Sequence, residues 1–354
     1  MYFTGLGTAV PATRYTQRQC FEALQGSPQF SRIDRRSRAL LKKVLLGDNG
    51  IRTRALVLAP LEDAFEARPD VLHARFAEHA PRLAQEAAES ALRDAGCSAS
   101  EIDGLIISTC TGYLCPGLTS YVIERLGLSP DVIALDLVGQ GCGAALPNLR
   151  TAEAFLSAGR CENVLSICVE VCSAAFYIDN DPGVLISACL FGDGAGAAVV
   201  SVEPTPGRLC PEWKAAASLT EPAQRDALRF EQRDGMLRNI LTPEVPDLAA
   251  QHAELLLDRV LAEQNLTRES IGEWIWHAGG RKVLDALQRQ IGLDAEQLKW
   301  SAAVLSEYGN LSSACVYFVL KSVLRNGARP GWWWMSSFGA GFSCHGALLE
   351  VRAA

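Results

Sequence analysis

Residues 136–150 read DLVGQGCGAALPNLR. An apolar run ends in a cysteine held between Gly141 and Gly143, and a small-residue helical pattern begins at once. This is a strand handing over to a helix, with a thiol at the junction. Free backbone N–H groups and the dipole at a helix start favour a thiolate, the nucleophilic form. The two glycines permit unusual dihedrals and leave room for an incoming acyl group. A core cysteine in a tight turn would look similar, and most of the twelve cysteines here read as small buried hydrophobes.

Working outward, the same alternation continues in both directions. Upstream, a helix is expected over residues 77–95, then a buried strand at 104–110, a helix near 120–126 and a strand at 132–138. Downstream come a helix at 144–157 and buried strands at 162–171 and 194–203. The second half repeats the grammar: a helix over 247–263, a strand at 273–278, a helix at 282–291, a helix after Asn310, and strands at 332–338 and 343–351. Continuous Val/Ile/Leu runs alternating with helices indicate an α/β layered fold with sheet buried on both faces. The Pro-containing stretch 203–211 divides the chain into halves of 1–205 and 206–354. Two similar halves with a site at their junction is the expected architecture; a single open doubly wound sheet is the alternative.

Composition sets the outer limits. The chain has 354 residues, an ordinary charged fraction and a net charge of −7. That balance argues against nucleic acid and anionic membranes as partners. The N-terminus lacks a signal-peptide pattern and no long apolar run is present, so a cytoplasmic protein with reduced thiols and no membrane segment is expected. With no C-x2-C pair and no suitably spaced histidines, no metal site is expected.

Two further residues carry chemistry. His277 ends the apolar run WIWH and precedes Gly279-Gly280, at the strand end where α/β folds place catalytic groups; a satisfied strand-edge histidine is the competing reading. Asn310, in SEYGNLSSA, stands before an apolar helix and equally suits a cap. His345 reads as structural, and His73, His79 and His252 as solvent-facing. Cysteine, histidine and asparagine together form a set suited to thioester chemistry: a nucleophile, an acid/base partner and a neutral donor for an oxyanion.

The motifs STCTGYLCPG (108–117), GQGCGAA (139–145), LFGDGAGA (190–197), WHAGGRKVLDAL (276–287) and LSEYGNLSSACVYFVL (305–320) extend that reading. Through them the chain resembles the type III polyketide synthases, the chalcone synthase-like family of the thiolase superfamily, over nearly its whole length. SFGAGF (337–342) is similar to the family's GFGPG loop, with Ser337 and Ala340 in place of Gly and Pro. The resemblance implies a thiolase-like five-layered αβαβα fold, a homodimer, an acyl-CoA starter and malonyl-CoA as coenzyme A thioester substrates, no further cofactor, and a catalytic triad at Cys142, His277 and Asn310. It implies that His277 as imidazolium lowers the pKa of Cys142. His277 and Asn310 would hold the enolate left by decarboxylation, and the lengthened chain would cyclise to an alkylpyrone, alkylresorcinol or related aromatic product.

The resemblance also places substrate-binding residues. Phe191 matches a gating phenylalanine; Asn239 stands where the family has a second one. Phe230 falls on a position that is small in the family. Cys110, Cys115 and Ser312 fall on cavity-lining positions, and that of Cys115 reaches across the dimer. Lys42, Lys43, Arg52 and Arg54 are candidates for the coenzyme A phosphates, and the turn containing Gly280 and Lys282 for the pantetheine arm. The ring missing at Asn239 and the small Cys110 and Cys115 favour a medium or long fatty starter of about eight carbons or more, each buried methylene being worth about 0.8 kcal/mol; Phe230 argues the other way. A β-ketoacyl synthase III, which condenses once and carries HQAN rather than HAGG, and a catalytically silent partner subunit are the rival readings.

Overall fold

The computed structural model describes residues 1–327 and 329–352; the last two residues of the expected second half lie outside them. The first half contains β1 (Tyr2–Ala9), β2 (Arg14–Thr16), α1 (Gln17–Gln25), α2 (Pro28–Arg32), α3 (Arg35–Leu46) and β3 (Thr53–Ala55). It continues through α4 (Pro69–Ala95), β4 (Gly104–Ser108), α5 (Leu118–Leu126), β5 (Ile133–Leu137), α6 (Ala145–Ser157), β6 (Asn163–Glu170), α7 (Pro182–Leu190) and β7 (Gly194–Ser201). The second half runs through β8 (Glu212–Thr220), the hairpin β9 (Leu228–Arg233) and β10 (Met236–Leu241), and α8 (Val245–Glu263). It then forms β11 (Ile271–Trp276), α9 (Arg281–Ile291), α10 (Lys299–Tyr308), α11 (Cys315–Arg325), β12 (Gly331–Gly339) and β13 (Ser343–Val351).

The strand order repeats. From the joint outward the first half reads β1-β7-β6-β4-β5 and the second β8-β13-β12-β11. In each, the half's first strand pairs antiparallel with its last, the last pairs antiparallel with its predecessor, and a parallel pair follows. The second half lacks only the outermost strand. The halves join edge to edge where Tyr2 pairs with Glu212, so both sequence-level alternatives are partly realised: two similar halves, one continuous nine-stranded sheet.

The layering follows from which faces are apolar. α6 packs on β4 and β6 and also on β12 and β13; α11 packs on β11 and β12 and also on β1 and β7. Both helices therefore lie between the half-sheets, while α4 and α5 cover the outer face of one and α8 covers that of the other. Alternation along the strands feeds the layers. Ile106 faces the central core, and Leu105 and Ile107 face α4. This is the expected five-layered αβαβα arrangement.

Three local expectations shift. α4 begins at Pro69, eight residues before the expected start, because Pro69 serves at the first helical turn, where a missing N–H costs nothing. β5 was expected to be buried on both faces. It is the edge strand, with Ile133 and Leu135 exposed and Val138, just beyond it, 59% exposed. His252 is buried rather than solvent-facing: its ring bonds the Leu248 carbonyl at 2.8 Å and Glu221 at 2.9 Å.

Candidate active site

Gly141–Gly143 form a single tight turn that feeds directly into α6, which places Cys142 at the start of a helix, as expected. Gly141 takes an unusual dihedral, as expected, and close packing adds a second reason for both glycines. Gly141 has φ +56°, and a Cβ there would come within 2.9 Å of the Ala340 nitrogen. A Cβ on Gly143 would lie 3.1 Å from the Gly339 nitrogen. The 338–341 loop takes the space beside both glycines, while Gly141 also borders a cavity of about 600 Å³. Ser337, at the head of that loop, donates from its hydroxyl to the Gly143 carbonyl at 2.9 Å. The serine that departs from the family's glycine thus adds a tie to the nucleophile turn.

A chain of short contacts brings the three candidate residues together. Ser312 Oγ lies 3.2 Å from Cys142 Sγ, and the Ser312 N–H donates to Asn310 Oδ1 at 2.8 Å. Asn310 Nδ2 donates to the Gly279 carbonyl at 3.0 Å, and the Gly279 N–H donates to the His277 carbonyl at 3.0 Å. His277 also packs edge-on against Phe338, at 5.5 Å between ring centroids, in the loop that backs the cysteine turn. Asn310 uses one Nδ2 proton on Gly279 and keeps the second. Ser312 sits at φ +50°, a left-handed conformation uncommon outside glycine, held by bonds from both its N–H and its hydroxyl.

Sequence reasoning passed over one residue of the site. Glu170 ends β6, fully buried behind the cysteine. It accepts from the Cys110 N–H at 3.1 Å, from Thr111 Oγ1 at 2.9 Å, from Ser312 Oγ at 3.2 Å and from Ser313 Oγ. Burial raises its pKa, and the bond from Ser313 leads the opposing effects. The available signal was a single carboxylate in the apolar run VLSICVEV, since a buried charge needs partners.

Burial works against the expected ion pair. Burial pushes the Cys142 thiol up to about 12, against a smaller lowering from the Ser312 hydroxyl. Burial alone takes His277 down to about 4, and its Nδ1 has no partner. Desolvation thus works against the charged form of each, and for Cys142 it outweighs the hydroxyl of Ser312. His345, in β13 behind Gly143, is likewise lowered to about 4, first by burial and then by Arg150.

A pH dependence of stability follows. A histidine whose folded pKa is depressed contributes its full share above the unfolded value near 6.5, and that share is lost as pH falls toward the folded value. For a shift from about 6.5 to about 4, each of His277 and His345 should cost the fold about 3 kcal/mol across that window. Urea denaturation between pH 7 and 4 should show falling stability, and His345→Gln should flatten the slope. An unchanged slope in that variant would mean that His345 titrates normally in the folded protein.

The substrate-binding candidates gather on the same side. Phe191, Asn239, Phe230 and Ser312 line one small gap of about 10 Å³. Asn239 on β10 pairs directly with Phe230 on β9, so Phe230 supplies a ring beside the position where one is missing. The room expected at Asn239 for a fatty chain is absent there. Phe230 also borders a cavity of about 600 Å³ lined by Cys110, Thr109, Leu72, Phe76 and Leu228. Phe230 and Thr111 stand between the two spaces. Cys110 Sγ lies 3.3 Å from Ser312 Oγ, whereas Cys115 is exposed.

Lys42, Lys43, Arg52 and Lys282 are all exposed. An ion pair of 2.6 Å between Arg281 and Asp48 ties the turn before α9, with Gly280, to the loop after α3, so these cations border one region. Arg54 does not join them. It is buried, and its guanidinium donates to the carbonyls of Ala188 at 2.7 Å and Phe191 at 3.0 Å, which fixes the backbone of Phe191 instead of meeting solvent.

The profile of the N-terminal domain of chalcone and stilbene synthases matches residues 6–204, and that of the C-terminal domain matches residues 215–351. Among curated relatives, 3,5-dihydroxyphenylacetyl-CoA synthase of Streptomyces toyocaensis is 31% identical over 98% of this chain and 89% of its own length. The Amycolatopsis balhimycina protein of the same name is 32% identical, over 98% and 92%. Among solved structures, PKS-I from the brown alga Ectocarpus siliculosus superposes with a TM-score of 0.90 at 26% identity, covering 99% of this chain and 98% of that one. For 1,3,6,8-tetrahydroxynaphthalene synthase, a bacterial type III polyketide synthase from Streptomyces coelicolor A3(2), the TM-score is 0.88 at 26% identity, with both chains fully covered.

Proposed function

The chain belongs to the chalcone and stilbene synthase family and is a type III polyketide synthase, and we propose that Cys142, His277 and Asn310 carry its chemistry. The observation behind this is the run of contacts from the Cys142 sulfur through Ser312 and Asn310 to the backbone of Gly279, in the turn directly after His277. The Cys142 proton passes to the His277 ring as sulfur attacks the acyl-CoA carbonyl. The imidazolium keeps that proton, and coenzyme A leaves as its thiolate, to be protonated by solvent. When malonyl-CoA follows, the His277 N–H and the second Asn310 Nδ2 proton donate to its thioester oxygen. Carbon dioxide leaves, the enolate is held by those donors, and its carbon attacks the acyl-cysteine carbonyl, releasing the Cys142 sulfur, which takes its proton back from His277. Repetition lengthens the chain before ring closure.

Lys42, Lys43, Arg52 and Lys282 are the proposed contacts for the coenzyme A phosphates, with Gly280 beside the pantetheine arm; Arg54 is a positioning group for Phe191. The exposed apolar edge strand β5 supports a homodimer, since such edges are ordinarily covered, and the exposure of Cys115 is in keeping with a role across it. Residues 1–205 and 206–354 are the two halves of one catalytic unit acting in the cytoplasm. The relatives' dihydroxyphenylacetyl name supports ring closure between carbons, giving a phenolic product.

Incubation with malonyl-CoA, alone and with a panel of acyl-CoA starters, tests the reading by carbon dioxide release and product mass. Products should grow by whole ketide units, and no carbon dioxide with any starter would sink it. Phe230→Gly in the same assay should join the small gap to the 600 Å³ cavity. Two further methylenes then find burial, so kcat/KM for the longer of two starters should rise roughly tenfold relative to the parent. An unchanged preference would remove Phe230 from the path of the chain.

A further inference from the structure

Asn239 is 5% exposed, its Oδ1 is buried without any hydrogen-bond partner, and no side-chain bond from its amide occurs among the described residues. An unsatisfied buried polar group costs about 1–3 kcal/mol, so a leucine of similar size would serve the fold better. The amide borders the gap of about 10 Å³ shared with Phe191, Phe230 and Ser312, and the Ser312 hydroxyl lies 3.2 Å from the Cys142 sulfur. That volume is about what one oxygen-sized group requires and too little for a methylene chain.

We propose that Asn239 is a specificity-determining residue that recognises the β-oxygen of an acyl chain held on Cys142. The inference rests on the synthase reading above and names the substrate class: short acyl groups that carry a β-keto oxygen, in preference to plain alkyl groups. A primary amide offers one acceptor and two donors. A β-ketoacyl thioester offers a carbonyl acceptor and, in its enol form, an O–H donor as well. Its enol O–H donates to the Oδ1 that the free protein leaves orphaned, and its keto oxygen accepts from Nδ2. An alkyl chain in the same position meets that amide with a methylene and keeps it unsatisfied. The discrimination therefore favours oxygenated chains, and Phe230, opposite Asn239, closes the side through which a long alkyl chain would pass.

Acetoacetyl-CoA and butyryl-CoA have equal chain length and differ only at the β-carbon. With malonyl-CoA as extender, the parent should use acetoacetyl-CoA with a kcat/KM about tenfold or more above that for butyryl-CoA, the size expected for one neutral hydrogen bond plus relief of the orphan. Asn239→Leu should bring the ratio near one. It should leave the melting temperature unchanged or raised, whereas loss of a purely structural asparagine would lower it. A parent ratio near one overturns the inference without any variant, as does a ratio that survives in Asn239→Leu. Malonyl-CoA decarboxylation by the parent separates the two levels: if decarboxylation is present and the ratio is flat, only the role of Asn239 fails. Absent decarboxylation overturns the synthase reading together with this inference.

Discussion

Cys142→Ala is expected to abolish polyketide formation while leaving malonyl-CoA decarboxylation measurable. The two steps use different atoms. Chain loading needs the Cys142 sulfur, and nothing else in the turn between Gly141 and Gly143 can accept an acyl group. The loss should be at least about 10⁴-fold, the scale on which removal of a covalent nucleophile is felt. Decarboxylation needs only donors for the enolate oxygen, and the His277 ring and the Asn310 amide are untouched by the substitution. The alanine leaves the thiol's volume partly empty beside Ser312, so a small loss of stability is expected and should not be read as loss of function. The check is paired: product by mass spectrometry and carbon dioxide release on one preparation. Product formation by Cys142→Ala near the parent rate would refute the assignment. Parallel loss of both activities with an unchanged melting temperature would mean that the thiol also takes part in decarboxylation.

Asn310→Ala should be nearly as severe for the other step. Removing one oxyanion donor typically costs about 10²–10³-fold in kcat. Asn310 also bridges the Gly279 carbonyl and the Ser312 N–H, which hold the turn after His277 and the left-handed Ser312 in place. Alanine removes both ties. Asn310→Asp separates the roles, because its carboxylate oxygen can still accept from Ser312 but cannot donate. If donation to the enolate is the function, decarboxylation should fall about equally in both variants, although only the aspartate keeps the tie to Ser312. Recovery of decarboxylation in the aspartate variant would make Asn310 a positioning residue only.

Much of this protein was legible in its residues. The glycine-flanked cysteine, the strand-ending histidine and the asparagine before an apolar helix each allow a structural reading alone, and only as a set do they point to thioester chemistry. HAGG in place of HQAN separated the synthase from its single-condensation rival, and the family match bears this out. The repeated strand and helix pattern announced the doubled α/β layers, because period and apolar content are local properties that a chain carries unfolded.

What tertiary structure alone decided depends on neighbours far apart in sequence. The glycines beside Cys142 serve the 338–341 loop nearly two hundred residues away. Glu170 acquires its donors from two segments distant in the chain, Cys110–Thr111 and Ser312–Ser313. Arg54 looked like a surface cation and is an internal strut, because its burial is set by α7 and Phe191 packing over it. Asn239 read as the absence of a ring, yet the hairpin brings Phe230 directly opposite and leaves a polar amide in a space one oxygen wide. The pKa shifts of Cys142 and His277 follow the same rule: residue type sets the reference value, but desolvation depends on how many atoms the folded chain packs around the group, and only the assembled layers fix that number.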